Sequence, residues 1–335
     1  MRKTIAFPIT DAIACVVASF LFLAAPVSRA ANGVQISELP DRLRVEINGK
    51  LFTEYFFKDA PRPYCYPLLG PNGVPMTRDW PMKNSPGEAQ DHKHHRSFWF
   101  AHGAVNGHDF WSEDKDFGKT VHEAFTKVSS GADSGVIQSR NQWVARDGTA
   151  VCTDDRTLRI YNRPETERLF DFEISLHAGK SDVTFGDTKE GTMALRLAET
   201  MRLTPNKDNV GKPVGHIVNS EGVRDGATWG KRAAWCDYSG PVAGQTLGAA
   251  IFDHPQNPRY PTWWHVRDYG LFAANPFGRH DFERLPDKAA GNLVVPAGQS
   301  VTFRYRFYLH EGDEKVGKVA ERYAEFAKTK AAGAN

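Results

Sequence analysis

Short apolar runs that alternate with polar residues recur along the whole chain, and they limit the fold more than any other feature of the sequence. Successive side chains of a β-strand point to opposite faces, so this alternation is typical of strands with one buried face. Gly, Pro, Asn and Asp separate the runs at spacings typical of hairpins and meanders. The clearest runs are Leu43–Ile47, Phe98–Phe100, Val136–Arg140, Thr157–Tyr161, Leu169–Ile174, Met193–Leu197, Gly248–Phe252 and Val301–Tyr308.

One segment near the C terminus has a helical period instead. Within residues 313–328, apolar side chains recur at intervals of three and four, at Val316, Val319, Tyr323 and Phe326. This spacing lines one face of an α-helix. The sequence therefore predicts an all-β protein, a large antiparallel β-sandwich with a C-terminal helix.

The first thirty residues have the features of a secretory signal peptide. Met1–Lys3 is basic, Ala12–Ala25 is almost wholly apolar, and Ser28–Ala30 offers small residues at the positions that a signal peptidase reads. The apolar run is shorter than the ~20 residues of a membrane-spanning helix. We predict a signal peptide at residues 1–30, cleavage near Ala30–Ala31, and a periplasmic or extracellular protein.

The remaining residues, 31–335, show no internal repeat, low-complexity linker or charge run that would separate domains. We therefore predict a single β-sandwich domain.

The leader carries three basic residues and one acidic residue, so the net charge of +2 for the whole chain becomes zero after cleavage. A neutral surface does not attract nucleic acid or acidic lipid in general, although a local basic pocket for one anionic ligand is compatible with it. We expect no nucleic-acid partner and no stable membrane insertion once the leader is removed.

Cys65, Cys152 and Cys236 follow the leader, and three cysteines allow at most one disulfide within the chain. Their wide spacing excludes a CxxC redox or zinc motif.

Five of the twelve histidines lie in one short aromatic-rich window, at His92, His94, His95, His102 and His108. Imidazole both gives and takes protons near neutral pH, and it is the commonest metal ligand. The cluster therefore indicates proton transfer or metal binding, and the alternative is a set of hydrogen-bonded structural histidines.

Strand geometry restricts how these histidines can cooperate. If residues 96–103 form a strand, then Arg96, Phe98, Phe100 and His102 share one face. His94 and His102 would lie roughly 26 Å apart at ~3.3 Å per residue, too far to bind one metal ion. A compact site would use His92, His94 and His95. We expect no cofactor, with a divalent metal ion as the alternative.

Longer motifs carry a resemblance to a known family. They are Arg62–Tyr64, Asp91–Gly103, Asn106-Gly107 with Asp109–Trp111, Phe185–Gly191, Asn219–Gly222, Trp229–Lys231, His254–Arg259 and Asn275–Gly278. Together they resemble the bacterial PmoA-like family over nearly all of residues 31–335. The resemblance implies a large β-sandwich like that of galactose mutarotase and related sugar-active enzymes, a fold-level analogy that favours a carbohydrate ligand.

Later segments supply further candidate residues for the site. Carboxylates and imidazoles move protons on and off sugar hydroxyls and C–H groups, so the predicted catalytic residues are His94, His95, Glu190 and His265. Guanidinium, amide and ammonium groups bind hydroxyls, and aromatic rings offer a flat apolar face to a sugar. The predicted substrate-binding residues are Arg96, His102, Asn106, Arg196, Asn219, Lys231, Trp264, Arg267 and Asn275.

Each of these assignments has a structural alternative. Glu190 precedes a glycine and is also typical of a turn, Trp264 is also typical of a core, and Lys231 is also typical of a solvated surface. We expect His95 to be partly exposed, so that its removal abolishes turnover without affecting the folded state.

The residue types and the resemblance together favour an exported enzyme that acts on a sugar or glycoside by His/Glu acid-base chemistry, through epimerisation, elimination or hydrolysis. A small molecule or an oligosaccharide would be the substrate. One alternative is a metal-assisted hydrolase or lyase that uses His92, His94 or His95 with His265 or Glu190. Another is a non-catalytic periplasmic glycan-binding protein.

Export generates the first testable prediction. Protein recovered from the periplasm or the medium should begin near Ala31 when its N terminus is sequenced, because the small residues before this position are the cleavage signal. An intact Met1 terminus in the membrane fraction would contradict it.

Overall fold

The β-strands of the chain form two large sheets and one small one. The computed structural model describes residues 1, 3–4, 32–208, 210–212 and 214–329, so the predicted signal peptide lies almost entirely outside the described residues. The strands are β1 (Val34–Glu38), β2 (Arg42–Ile47), β3 (Lys50–Phe56), β4 (Tyr64–Leu68), β5 (Phe98–His102), β6 (Lys119–Ser129), β7 (Ser134–Val144), β8 (Ala150–Tyr161), β9 (Glu167–His177), β10 (Val183–Phe185), β11 (Gly191–Arg196), β12 (His216–Asn219), β13 (Trp235–Val242), β14 (Gln245–Asp253), β15 (Trp263–Val266), β16 (Leu271–Asn275), β17 (Leu293–Val295) and β18 (Ser300–Glu311). The α-helices are α1 (Arg279–Glu283) and α2 (Val319–Phe326).

Neighbouring strands in the described sheets run antiparallel throughout. The first sheet has the order β1-β2-β3-β4-β5-β11-β16-β15, and the second has the order β12-β13-β14-β18-β9-β8-β7-β6. Strands β10 and β17 form a separate pair. The predicted all-β antiparallel fold is confirmed.

The two large sheets pack face to face through an aromatic core. Phe98 on β5 of the first sheet lies 5.3 Å from the ring of Phe170 on β9 and 4.9 Å from the ring of Phe307 on β18, both in the second sheet. Both contacts are edge-to-face, the geometry that the charge distribution of aromatic rings favours. These contacts make the fold a sandwich.

A second apolar layer covers the outer face of the first sheet. Side chains that alternate with the core residues form this layer, among them Trp99 and Ala101 on β5, Ala194 on β11 and Ala273 on β16. Because β5 and β11 are buried on both faces, every residue of each strand is buried. This explains why these strands appear in the sequence as nearly continuous apolar runs, as strands buried on both faces do.

The C-terminal helix is shorter than residues 313–328 predict. It comprises Val319–Phe326, and its two end residues are buried. Before it, the Asp313 carboxylate accepts a hydrogen bond from the Val316 N–H at 3.0 Å, which stabilises a turn. Lys318 has a φ of 50°, a left-handed conformation that the interior of an α-helix does not allow. The helix can therefore begin only after Lys318.

The three cysteines among residues 32–329 are buried free thiols, with no disulfide between them. Burial raises the pKa of the Cys65 thiol to about 12. A buried thiol that stays protonated at neutral pH is unreactive.

None of the described helices has the length and hydropathy needed to span a membrane.

A buried charged network lies on the core side of β8. The Asp154 carboxylate accepts hydrogen bonds from Asn141 at 2.7 Å, from the Trp143 indole at 2.6 Å and from the Arg156 guanidinium at 2.8 and 2.9 Å. All four residues are buried. The guanidinium of Arg156 is therefore neutralised inside the sandwich by one carboxylate.

Replacing this carboxylate should be costly. We expect Asp154→Ala to lower the free energy of unfolding by ~3–5 kcal/mol, because it leaves the charge of Arg156 buried without a partner. The matched control is Asp155→Ala on the opposite face of β8, where its partly exposed contacts with Arg140 and His177 should contribute less than ~1 kcal/mol. Urea unfolding followed by circular dichroism measures both values, and similar losses in the two variants would contradict the network's role.

Candidate functional site

One row of side chains crosses four strands on the outer face of the first sheet. Trp99 is paired with Ala194, Ala194 with Ala273, and Ala273 with His265. Paired residues of neighbouring strands project from the same face. The two alanines place little bulk between Trp99 and His265, so the sheet surface is low there.

An open cleft of about 450 Å³ lies on this face. All four residues that the sequence predicts as catalytic line it, together with the predicted ligand Arg267. The lining residues are His92, His94, His95, Gly103, Asp109, Trp111, Ser112, Asp114, Lys189, Glu190, His265, Arg267 and Tyr269. The fold therefore brings together three segments that are far apart in the sequence, those before β5, before β11 and on β15.

Glu190 stands at the end of the loop formed by residues 186–190, just before β11. The main chain of Gly103 donates a hydrogen bond to the Glu190 carbonyl at 2.7 Å. A Cβ atom on residue 103 would lie 2.8 Å from the Glu190 Cβ, so only glycine allows this close approach. The Glu190 carboxylate faces the Lys189 ammonium at 2.8 Å, and both side chains are partly exposed.

Two of the predicted substrate-binding residues instead fix the main chain of this loop. His102 lies 2.8 Å through its Nε2 from the Gly186 carbonyl, so this nitrogen is the donor. Asn275 donates to the carbonyls of Thr188 and Lys189, both at 3.0 Å. Because His102 and Asn275 are fully buried and lie outside the cleft lining, they are positioning residues for the loop.

His95 is buried, with only 1% of its surface exposed, which corrects the expectation of a partly exposed side chain. Its ring is stacked on Trp99, with centroids 5.3 Å apart, and on His92 at 4.8 Å. The Arg196 guanidinium donates to His95 Nδ1 at 3.1 Å. A guanidinium only donates, so Nδ1 accepts, and the proton of the neutral ring is on Nε2. His95 therefore offers an N–H donor to a ligand.

A buried ion network lies beneath the histidines. Arg78 and Arg196 have fully buried side chains, and both contact the Asp91 carboxylate, which precedes His92 in the chain. Both also approach the carboxylate of Glu199, at 3.8 and 3.7 Å. Burial alone would raise the pKa of Asp91, but the hydrogen bond from His92 and the charges of Arg196 and Arg78 lower it far below the usual range. Arg196, predicted to bind substrate, thus holds the histidine segment to the sheet.

The pKa values of three cleft histidines, His94, His95 and His265, lie below the usual value. Burial, followed by the charge of Arg62, lowers the pKa of His94 to about 4. Burial, followed by the charge of Arg267, lowers the pKa of His265 to about 3. Burial and Arg196 lower the pKa of His95 well below its usual value. Neutral imidazoles of this kind are weak bases, but they can donate a hydrogen bond to a substrate oxygen.

The Arg96 side chain does not share a strand face with Phe98, in contrast to the expectation for a strand over residues 96–103. Ser97 has a φ of 56°, so the backbone turns there and the strand begins at Phe98. The Arg96 guanidinium makes two hydrogen bonds to the Glu113 carboxylate, at 2.7 and 2.6 Å, and lies 5.5 Å from the centre of the Tyr64 ring. Arg96 therefore ties the histidine segment to the loop that carries Trp111.

Four further predicted ligands lie outside the cleft. Asn106 binds the main chain of Asp182 and Thr184 at the surface. Asn219 is buried and stabilises a turn by accepting main-chain hydrogen bonds. Trp264 is fully buried in the core between the sheets, because its neighbour on β15 faces outward instead. Lys231 lines a separate, adjoining pocket.

Sequence reasoning missed Tyr269, Arg78 and Glu199. Tyr269 lies in the turn between β15 and β16, with its ring stacked 5.1 Å from that of His92 and 4.8 Å from the Arg196 guanidinium. No local motif indicated these residues, since each reaches the site only through the pairing of distant strands.

The described residues contain no group of three or more His, Cys, Asp or Glu side chains arranged to hold a metal ion. Two of the cleft imidazoles already use a ring nitrogen, His95 toward Arg196 and His92 toward Asp91 at 3.1 Å.

The chain belongs to a family of unknown function, DUF6807, whose model matches residues 42–324. The resemblance to PmoA-like proteins stays a prediction. No curated protein sequence matches the chain.

Three of the solved structures to which the chain is similar are the following. The first is an alpha-galactosidase from Lactobacillus brevis, with 8% identity, 89% of this chain and 42% of that chain covered, and a TM-score of 0.39. The second is a polysaccharide lyase, with 13% identity and a TM-score of 0.36. The match covers 88% of this chain and 35% of that chain. The third is a protein assigned as an aldose 1-epimerase from Escherichia coli K12, with 11% identity, 84% and 100% covered, and a TM-score of 0.31. The chain spans less than half the length of the first two.

The contact between Arg196 and His95 generates a prediction that needs no substrate. Arg196→Gln should raise the pKa of His95, because it removes the neighbouring positive charge that opposes protonation. Nitrogen-15 NMR of the imidazoles during a pH titration measures this shift. The matched control is Arg202→Gln, which removes a contact with Glu199 but none with His95. A pKa of His95 that is the same in wild type and in Arg196→Gln would contradict the proposed coupling.

Proposed function

We propose that the protein is an exported enzyme that acts on a sugar or glycoside by acid-base chemistry in the cleft above β5, β11 and β15. The observation that carries the proposal is the convergence of Glu190 with His94, His95 and His265 on one open cleft. Groups that can exchange a proton with a substrate and groups that can bind its oxygens thus stand on the same small surface.

The carboxylate and the imidazoles suit different roles. Glu190 is partly exposed at the rim and is the group to accept a proton from a hydroxyl or a C–H of the bound sugar. His95 and His265 have pKa values too low for efficient bases at neutral pH. His95, with its proton on Nε2, acts as a neutral hydrogen-bond donor to a substrate oxygen. A donor of fixed orientation costs no reorganisation when charge develops on that oxygen.

The walls of the cleft favour a carbohydrate over an apolar ligand. Tyr269 offers aromatic surface, while most other lining side chains are polar. Aromatic rings pack against the apolar face of a sugar, and the polar groups bind its hydroxyls. Epimerisation, elimination and hydrolysis of a sugar each need a site that binds the sugar and a group that transfers a proton.

A substrate screen with three readouts tests the proposal. Purified protein that begins near Ala31 is incubated with neutral and acidic oligosaccharides. New reducing ends report hydrolysis, ultraviolet absorbance of an unsaturated sugar reports elimination, and proton NMR reports epimerisation. Parallel reactions with a chelator and with added divalent cations show whether a metal ion is required.

Two variants then test the roles. His95→Gln keeps an acceptor for Arg196 but removes the imidazole, and Glu190→Gln removes the carboxylate charge. We expect each to lower kcat by ~10²–10⁴-fold, the usual contribution of a proton-transfer or positioned donor group. The control is His216→Ala, an exposed histidine outside the cleft, which should leave the rate unchanged.

Melting temperatures show that each variant is folded before its rate is compared. His95→Ala is not suitable, because it would leave the buried Arg196 donor without its acceptor, at a cost of about 1–3 kcal/mol. Full activity in folded Glu190→Gln would overturn the proposed roles. Saturable glycan binding without any turnover would show a binding protein instead of an enzyme.

A further inference from the structure

A second pocket adjoins the cleft behind Trp229. It has a volume of about 720 Å³, and Trp229, Lys231, Arg232, Trp263 and Arg284 form part of its wall.

Trp229 lies at the border between the two depressions. The ring of Trp229 lies 6.5 Å from the ring of His265 and 5.9 Å from the Arg267 guanidinium, and both of these residues line the cleft. Trp229 also lies 5.3 Å from Phe282, which lines the second pocket and whose ring lies 6.1 Å from that of His265. A ligand longer than one sugar unit could therefore pass over Trp229 from one depression to the other.

The second pocket is strongly cationic. Lys231 and Arg284 are exposed, and among the described residues neither side chain has an ion-pair or hydrogen-bond partner. Arg232 donates to main-chain carbonyls, at 2.8 Å for that of Pro261, and lies 4.5 Å from the centre of the Trp263 ring. None of these contacts neutralises its charge.

The carboxylate of this pocket is already engaged. Glu283 is paired with the Arg279 guanidinium at 2.9 Å and accepts a hydrogen bond from the Trp263 indole at 3.1 Å. Three cations therefore face the pocket against one carboxylate that has its own partner.

The positive charge continues into the cleft. Within the described chain, the Arg267 guanidinium has no carboxylate partner, and it lies against the rings of Trp229 and Tyr269, at 5.9 and 5.5 Å. Lys189, by contrast, is neutralised by Glu190. Cations without acidic partners thus follow one path from Arg267, past Trp229, to Lys231 and Arg284.

We infer that this path binds an oligosaccharide with anionic substituents, carboxylate or sulfate, with one sugar in the cleft and the next in the second pocket. The inference rests on the proposed function for the site, and it names the substrate class. Guanidinium and ammonium groups without internal partners supply charge-assisted hydrogen bonds to such substituents. The half-buried ring of Trp229 lies between the two positions as a surface for stacking.

Calorimetric titration of the full protein tests the inference. The probes are galacturonate oligosaccharides of one to four units, the same oligosaccharides as methyl esters, and a sulfated chondroitin disaccharide. We expect affinity to rise steeply from one unit to two for the free acids, to be at least about tenfold weaker for the methyl esters, and to fall with added salt. The sulfated probe shows whether carboxylate or sulfate is preferred.

A double variant locates the binding. Lys231→Gln with Arg284→Gln should weaken binding of the acidic tetramer by about tenfold or more and leave binding of the monomer unchanged, because the monomer occupies the cleft alone. The matched control loses the same charge elsewhere, through Lys119→Gln with Lys127→Gln on β6, and should bind like wild type. Equal affinity for acids and esters, or unchanged tetramer binding in the double variant, would overturn the inference.

Turnover separates this inference from the proposed function. If the acidic tetramer binds through Lys231 and Arg284 but wild type does not convert it or any other sugar, then the anionic subsite stands and the enzymatic proposal fails. If neutral sugars are converted at rates that the double variant does not change, and acids bind no better than esters, then the enzymatic proposal stands and the anionic subsite is refuted.

Discussion

The architecture of the site depends on two arginines buried beneath it. Arg78 and Arg196 have no exposed side-chain surface, and a buried cation is tolerated only when carboxylates and hydrogen bonds replace its water. Asp91 supplies one carboxylate from the histidine segment, and Glu199 supplies another from the segment after β11. Removing the histidine segment from the sheet would expose this network, so the charges fix the segment in place. The hydrogen bond from Arg196 to His95 Nδ1 also fixes the orientation and the tautomer of the His95 ring.

Small side chains then create the space that the charges border. The alanines of β11 and β16 keep the sheet surface low between Trp99 and His265. Gly103 allows Glu190 to approach β5. The cleft is thus a consequence of residues that contribute no chemistry of their own. A larger side chain at Ala194 or Ala273 would project into the same face as the histidines.

The alternation of apolar and polar residues predicts the strands well. It depends only on which face of a strand is buried, and not on which strands lie next to it. It predicts less at the edges, where β6 is largely exposed and has no clear apolar face. The apolar period over residues 313–328 predicts a helix that is too long, because such a period does not reveal a left-handed residue such as Lys318. Residue type alone selects His94, His95, Glu190 and His265 as candidates, and the four side chains line one cleft. Their catalytic role stays a prediction. The contacts of Arg196 with Asp91 and His95 do not follow from spacing, since they depend on strand register over about a hundred residues.

Net charge describes this protein poorly as a binding surface. The chain after the predicted leader is neutral in total, which argues against general attraction to polyanions. Many of its charges cancel in pairs, however, such as Lys189 with Glu190 and Arg279 with Glu283. What a ligand meets is the charge that has no partner, and along the path from the cleft to the second pocket this charge is positive, at Arg267, Lys231 and Arg284. A chain can therefore be neutral as a whole and still select an anionic ligand, because selectivity is set by the charges that the fold leaves without partners.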